Sequence, residues 1–136
     1  MEISSVGRLI SIVDDDALVR EGLIALMRSA GFATEAFASA EEFLSLARCD
    51  DAACIILDIL LPGMSGLELQ RQLTATVSNH RLPMVFITAN DDEATCQRAL
   101  KGGAVDFLLK PVRREALLNA VHSALQQNDC EDLERL

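Results

Sequence analysis

The stretch "LISIVDDDALVREG", residues 9–22, runs from a β-branched apolar segment straight into three acids and then into helical spacing. Asp14, Asp15 and Asp16 repel one another. At about 4 Å and an effective dielectric of about 20, a like-charge pair costs roughly 4 kcal/mol. Either these carboxylates point into water or a cation belongs between them. One acid suffices to cap the helix that follows, and Asp16 stands where a cap is expected. Two further like charges are a pure cost without a cation.

Moving outward, the same alternation of periods recurs along the chain. Val19, Leu23, Leu26, Met27 and Ala30 repeat at helical steps until Gly31 stops them. "FATEAF" (32–37) alternates as a strand, and "SAEEFLSLA" (39–47) opens with a Ser39–Glu42 capping box. "CIILD" (54–58) is a second apolar run ending in an acid, followed by a helix over 65–77. "MVFIT" (84–88), a helix over 92–103 closed by Gly102–Gly103, a short strand "VDFLL" (105–109) and a helix over 114–127 complete the pattern. The order is β-α five times. Strands that are apolar throughout are buried on both faces, the mark of a parallel sheet covered on each side by helices. The expected fold is α/β: a doubly wound, five-stranded parallel sheet of (βα)5, flavodoxin-like form. Residues 1–127 make one domain, and 128–136 an acidic tail that reads as a frayed helix end or the start of a linker. "EDLERL" inclines that reading toward a piece of a larger protein.

Composition narrows the function classes. The chain has 136 residues, half of them hydrophobic, with five Phe and no Trp or Tyr, so its core is aliphatic. A formal charge of −9 argues against direct nucleic-acid binding, which needs clustered Lys and Arg. It suits a cation site or a basic partner. Cys49, Cys54, Cys96 and Cys130 form no CxxC pair, and His80 and His122 stand apart from them, so zinc spacing is absent and free thiols in a reducing cytoplasm are expected. "MEISSVGRL" has no signal-peptide pattern, and no apolar run reaches membrane-spanning length.

In an open parallel sheet, ligands bind beyond the carboxyl ends of the strands. There stand the Asp14–Asp16 acids, Asp58, Thr88, and Lys110 followed by Pro111. Two or three carboxylates make an all-oxygen site suited to Mg²⁺ or Mn²⁺. A carboxylate is also a nucleophile toward a phosphoryl group, whose oxygens need a metal, a Lys and a hydroxyl to hold them.

The motifs "VDDD" (13–16), "ILDILLPGMSGLEL" (56–69), "FITA" (86–89) and "GGAVDFLLKP" (102–111), in this order, resemble the receiver domain of a two-component response regulator. The resemblance implies a switch, phosphorylated by a sensor histidine kinase or a small phosphodonor with Mg²⁺ bound. It implies that Asp58 is the phospho-acceptor and that Asp15 is a direct metal ligand, with Asp14 acting largely through water and the Leu60 carbonyl completing the protein ligands. Thr88 and Lys110 would hold phosphoryl oxygens, Thr88 and Phe107 would form the switch pair, and Lys110–Pro111 would be a cis peptide. Leu60 and Asn90 would flank the path of hydrolytic water, with apolar Leu60 slowing hydrolysis, while small Ala89 leaves the acceptor open to partners. Residues 92–127 would be the output face, with Arg98, Lys101, Arg113 and Arg114 against Asp91, Asp92, Glu93 and Glu115. This mixed charge suits either a homodimer or a solvated surface.

Rival readings fare worse on these residues. An aspartate-nucleophile phosphatase normally has a second Asp two positions after the nucleophile, where this chain has Leu60. A two-metal nuclease lacks its basic groove. A phosphorylation-independent docking module usually lacks an acid or the Lys, and this chain lacks neither. Neither GxGxxG nor GxxxxGK[ST] occurs.

Overall fold

The computed structural model describes residues 8–46, 52–76, 82–89 and 92–134, with side chains described except at 75–76 and 127–134. The N-terminal segment 1–7, Cys49, His80, Asn90 and Asp91, and the ends of the helices expected over 39–47 and 65–77, lie outside this set, as does the Cys130 side chain.

Ten elements follow in strict alternation: β1 (Leu9–Val13), α1 (Ala17–Ser29), β2 (Ala33–Phe37), α2 (Ala40–Leu46), β3 (Ala52–Asp58), α3 (Gly66–Thr76), β4 (Met84–Thr88), α4 (Glu93–Lys101), β5 (Asp106–Leu109) and α5 (Arg114–Glu134). The strands form one parallel sheet in the order β2-β1-β3-β4-β5. Alternate residues of each strand face opposite layers. Ile10, Ile12, Ile56, Val85 and Ile87 pack with Leu23 and Met27 of α1 and Leu117, Val121 and Leu125 of α5. Val13, Ile55, Leu57 and Phe86 pack on the other face with Phe43 of α2, Leu69 and Leu73 of α3 and Ala99 of α4. Each such fully buried side chain contributes roughly 1.5–3 kcal/mol.

The helix ends have local causes. The Phe32 N–H reaches Met27 O (3.1 Å) and the Gly31 N–H reaches Arg28 O (3.0 Å), closing α1 around Gly31 at φ 95°. The Ser39 hydroxyl accepts from the Glu42 N–H (3.0 Å), while Glu42 reaches back to the Ala38 N–H (3.4 Å). Gly102 and Gly103 serve different purposes. Gly103 takes the left-handed turn at φ 106°, whereas a Cβ on Gly102 would lie 2.7 Å from Oε1 of Gln70. Gln70 is buried there, its amide donating to Ala99 O (2.9 Å) and fastening α3 to α4.

Two of the boundaries that differ from expectation have identifiable causes. β3 begins at Ala52, not 54, because its register with β1 shifts between Leu9 and Ile10, and small Ala52 and Ala53 gave no strand signal. α5 runs to Glu134, beyond 127, because no Gly or Pro interrupts 126–134.

Candidate functional site

The chain leaves β1 toward β2 and leaves β3 toward β4, so a crevice opens between the C-terminal ends of β1 and β3. There the three adjacent acids occupy three different environments. Asp14 is fully buried. Its N–H donates to Phe37 O (3.1 Å), its carbonyl accepts from Nη1 of Arg20 (2.8 Å), and its Oδ1 accepts from the Asp16 N–H (2.9 Å). Asp15 is exposed. Asp16 is the N-cap of α1, accepting from the Leu18 N–H (2.9 Å) and the Val19 N–H (3.5 Å).

Asp58 ends β3 and is 4 % exposed. Its Oδ1 accepts the N–H of Leu60 (3.0 Å) and its Oδ2 accepts from Nζ of Lys110 (2.9 Å). The segment after it is fastened at two points. The Gly66 N–H donates to Ile59 O (3.0 Å), and the Met64 N–H donates to Oε2 of Glu41 at the start of α2 (3.1 Å). Gly66 must be glycine: a Cβ there would lie 2.5 Å from the carbonyl oxygen of Asp58. The Leu60 side chain projects outward, 58 % exposed.

Lys110 follows β5, and the Lys110–Pro111 peptide is cis. Its Nζ stands 2.9 Å from Oδ2 of Asp14 as well as from Oδ2 of Asp58. The Asp14 contact is an ion pair, and among the described residues the Lys110 ammonium is the partner of that buried oxygen. Burial pushes the Asp58 carboxyl above its usual range, and repulsion from Asp14 adds to this. The hydrogen bonds from Lys110 and Leu60 pull the other way without cancelling it. Burial by itself would lower the Lys110 pKa, but the two carboxylates outweigh it and hold the ammonium above its ordinary value.

Thr88, the last residue of β4, is buried, and its carbonyl accepts the N–H of Lys110 (2.7 Å). It is still paired in β4, and Asp92 caps α4, accepting from the Ala94 N–H (3.2 Å) and the Thr95 hydroxyl (2.7 Å). Phe107 on β5 is half-buried against the α2–α4 layer. The sequence-expected residues Asp14, Asp15, Asp58, Leu60, Thr88 and Lys110 therefore meet at one edge. Arg20, Glu41 and Gly66, which hold the turns that carry them, were not singled out. The one sequence signal for Arg20 was a cation near a helix N-terminus, where the helix dipole disfavours it.

The residues fit a hard divalent cation. Asp14, Asp15 and Asp58 each offer a carboxylate oxygen, all within 4.8 Å of one another. The set is all oxygen, and among the described residues Oδ2 of Asp14 is buried with no partner beyond the Lys110 ammonium. Cys54, by contrast, is sealed in β3, and burial pushes its thiol up to about 12, so it is inert. Among the described residues, no helix is long and apolar enough to cross a membrane.

The chain is similar to known proteins over most of its length. The family model described as "Response regulator receiver domain" matches residues 10–122. Nodulation protein W of Bradyrhizobium diazoefficiens is 42 % identical over 125 residues, covering 92 % of this chain and 54 % of the relative. Response regulator protein TodT of Pseudomonas putida is 43 % identical over 118 residues, covering 87 % and 51 %. The chain thus spans about half the length of these relatives. Among solved structures, response regulator StyR superposes with a TM-score of 0.85 at 46 % identity, covering 96 % of this chain and 65 % of that one.

Proposed function

This chain belongs to the response regulator receiver domain family, and from that premise we propose that it is a phosphorylation-dependent signalling switch whose acceptor is Asp58. The observation that carries the reading is the convergence of Asp14 and Asp58 on Nζ of Lys110, with Asp15 alongside. In this reading, one Asp58 oxygen attacks phosphorus, the donor's P–O or P–N bond breaks, and the leaving group departs with the electron pair. Asp58 is aimed by the Leu60 N–H and by Lys110. Lys110 then neutralises charge on the phosphoryl oxygens, and Thr88, at the end of the neighbouring strand, offers its hydroxyl to another. Bound by Asp14, Asp15, Asp58 and the Leu60 carbonyl, Mg²⁺ (or Mn²⁺) would add positive charge to those oxygens.

The phosphodonor in this proposal is a sensor histidine kinase in the cytoplasm, and Thr88 with Phe107 forms the switch pair. Residues 92–127 are the output face and a homodimer contact, and residues 128–136 lead toward an output domain of the kind transcription regulators carry. Two exposed leucines, Leu100 on α4 and Leu109 on β5, support an interface there. The test is incubation with radiolabelled acetyl phosphate and Mg²⁺. Label that is lost to hydroxylamine, and absent when Mg²⁺ is chelated, is the expected result. Label that resists hydroxylamine would overturn the assignment to a carboxylate.

A further inference from the structure

We infer that Arg20 is a positioning residue for the cation site: it fixes the Asp14–Asp15 peptide so that both carboxylates face one point. The inference rests on the reading of the Asp14–Asp15–Asp58 cluster as a divalent-cation site. Arg20 lies four residues beyond the Asp16 cap, and its backbone N–H makes the first helical bond to Asp16 O (3.0 Å). Its side chain folds back toward the helix start, as helical side chains do. There Nη1 meets the Asp14 carbonyl at 2.8 Å.

That contact completes a lock on Asp14. The residue's N–H is held by Phe37, its carbonyl by Arg20 and its Oδ1 by the Asp16 N–H, which leaves only Oδ2 outside the hydrogen-bond frame. The Asp14 carbonyl belongs to the peptide that leads into Asp15, so anchoring it sets the direction in which Asp15 emerges. A cation so near a helix N-terminus runs against the dipole. It also repels any metal bound by the acids it serves. Helping the metal by orientation and opposing it by charge predict opposite signs for removal of Arg20, and the geometry favours orientation. Outer partners that orient metal ligands typically change affinity by about 10–100-fold.

The experiment is calorimetric titration of Mg²⁺ into the parent, Arg20→Ala and Arg20→Lys, each checked for folding by circular dichroism and for melting temperature without metal. About a tenfold weaker Mg²⁺ affinity in Arg20→Ala is expected. Arg20→Lys, which keeps the charge and one donor, recovers most of it. Equal or tighter binding by Arg20→Ala overturns the inference, as does a fall in metal-free melting temperature with affinity unchanged, which would mean a merely structural tie. Failure of the parent itself to bind Mg²⁺ would overturn the reading of the site along with it. Should Arg20→Ala not fold, Arg20→Lys against Arg20→Gln decides the sign.

Discussion

Nζ of Lys110 lies 2.9 Å from Oδ2 of Asp58 although 52 residues and a whole strand, β4, separate them. The same ammonium lies 2.9 Å from Oδ2 of Asp14. One cation therefore holds two buried carboxylates at the ends of β1 and β3. Removing a partner from such a cluster leaves uncompensated buried charge.

Lys110→Ala is accordingly expected to destabilise the metal-free protein by about 3 kcal/mol at neutral pH. Acid or Mg²⁺ should restore part of the loss, because each neutralises the stranded acids. Urea melts at two pH values, with and without Mg²⁺, check this. A loss independent of both conditions would assign the effect to packing.

Asp58→Asn is expected to behave in the opposite way. The folded protein raises the Asp58 pKa above its unfolded value. Its favourable contribution is therefore fully present below the unfolded pKa of about 3.9 and is lost as pH rises through the folded value. Without metal, the variant should melt no lower than the parent at pH 7, and the parent should gain on it as pH falls toward 4. Parallel melts across that range decide the matter. A parent that gains on the variant as pH rises would show that Lys110 dominates.

Mg²⁺ should stabilise the parent by mass action, by about 2.7 kcal/mol at a hundredfold excess over its dissociation constant. Asp15→Asn should lose most of this gain while keeping its metal-free melting temperature, because Asp15 is exposed. Thermal shifts against Mg²⁺ concentration measure both quantities. An undiminished shift in Asp15→Asn would remove Asp15 from the ligand set.

Two of the close-approach glycines, Gly66 and Gly102, should differ in cost. A Cβ at Gly66 meets Asp58 O at 2.5 Å and Ile59 Cα at 2.9 Å, both backbone atoms that cannot swing aside. Gly66→Ala should cost about 3 kcal/mol and displace the acceptor. At Gly102 the obstacle is the end of the Gln70 side chain, which can yield at the loss of its bond to Ala99, about 1 kcal/mol. Chemical denaturation of both variants tests the order, and equal costs would contradict it.

The fold was legible because its three central strands are mostly apolar and buried on both faces: Leu9–Val13, Ile55–Leu57 and Met84–Ile87 are buried residue after residue. The site was legible because parallel topology brings the strand ends together, so Asp58 and Lys110 could be paired without sight of the structure. The shift between Leu9 and Ile10 was not legible, since it arises from pairing between strands. Nor were the fastenings by Arg20, Glu41 and Gln70, each a side chain bound to the backbone of a distant or preceding turn. Such contacts follow from three-dimensional closeness and leave no periodic trace.

The most direct measurement is intact-mass spectrometry after incubation with Mg²⁺ and acetyl phosphate, with an Asp58→Asn control beside the parent. The parent should gain the mass of one phosphoryl group and the control none. Equal uptake by both would place the acceptor elsewhere, and no uptake by a folded, Mg²⁺-loaded parent would contradict the switch itself.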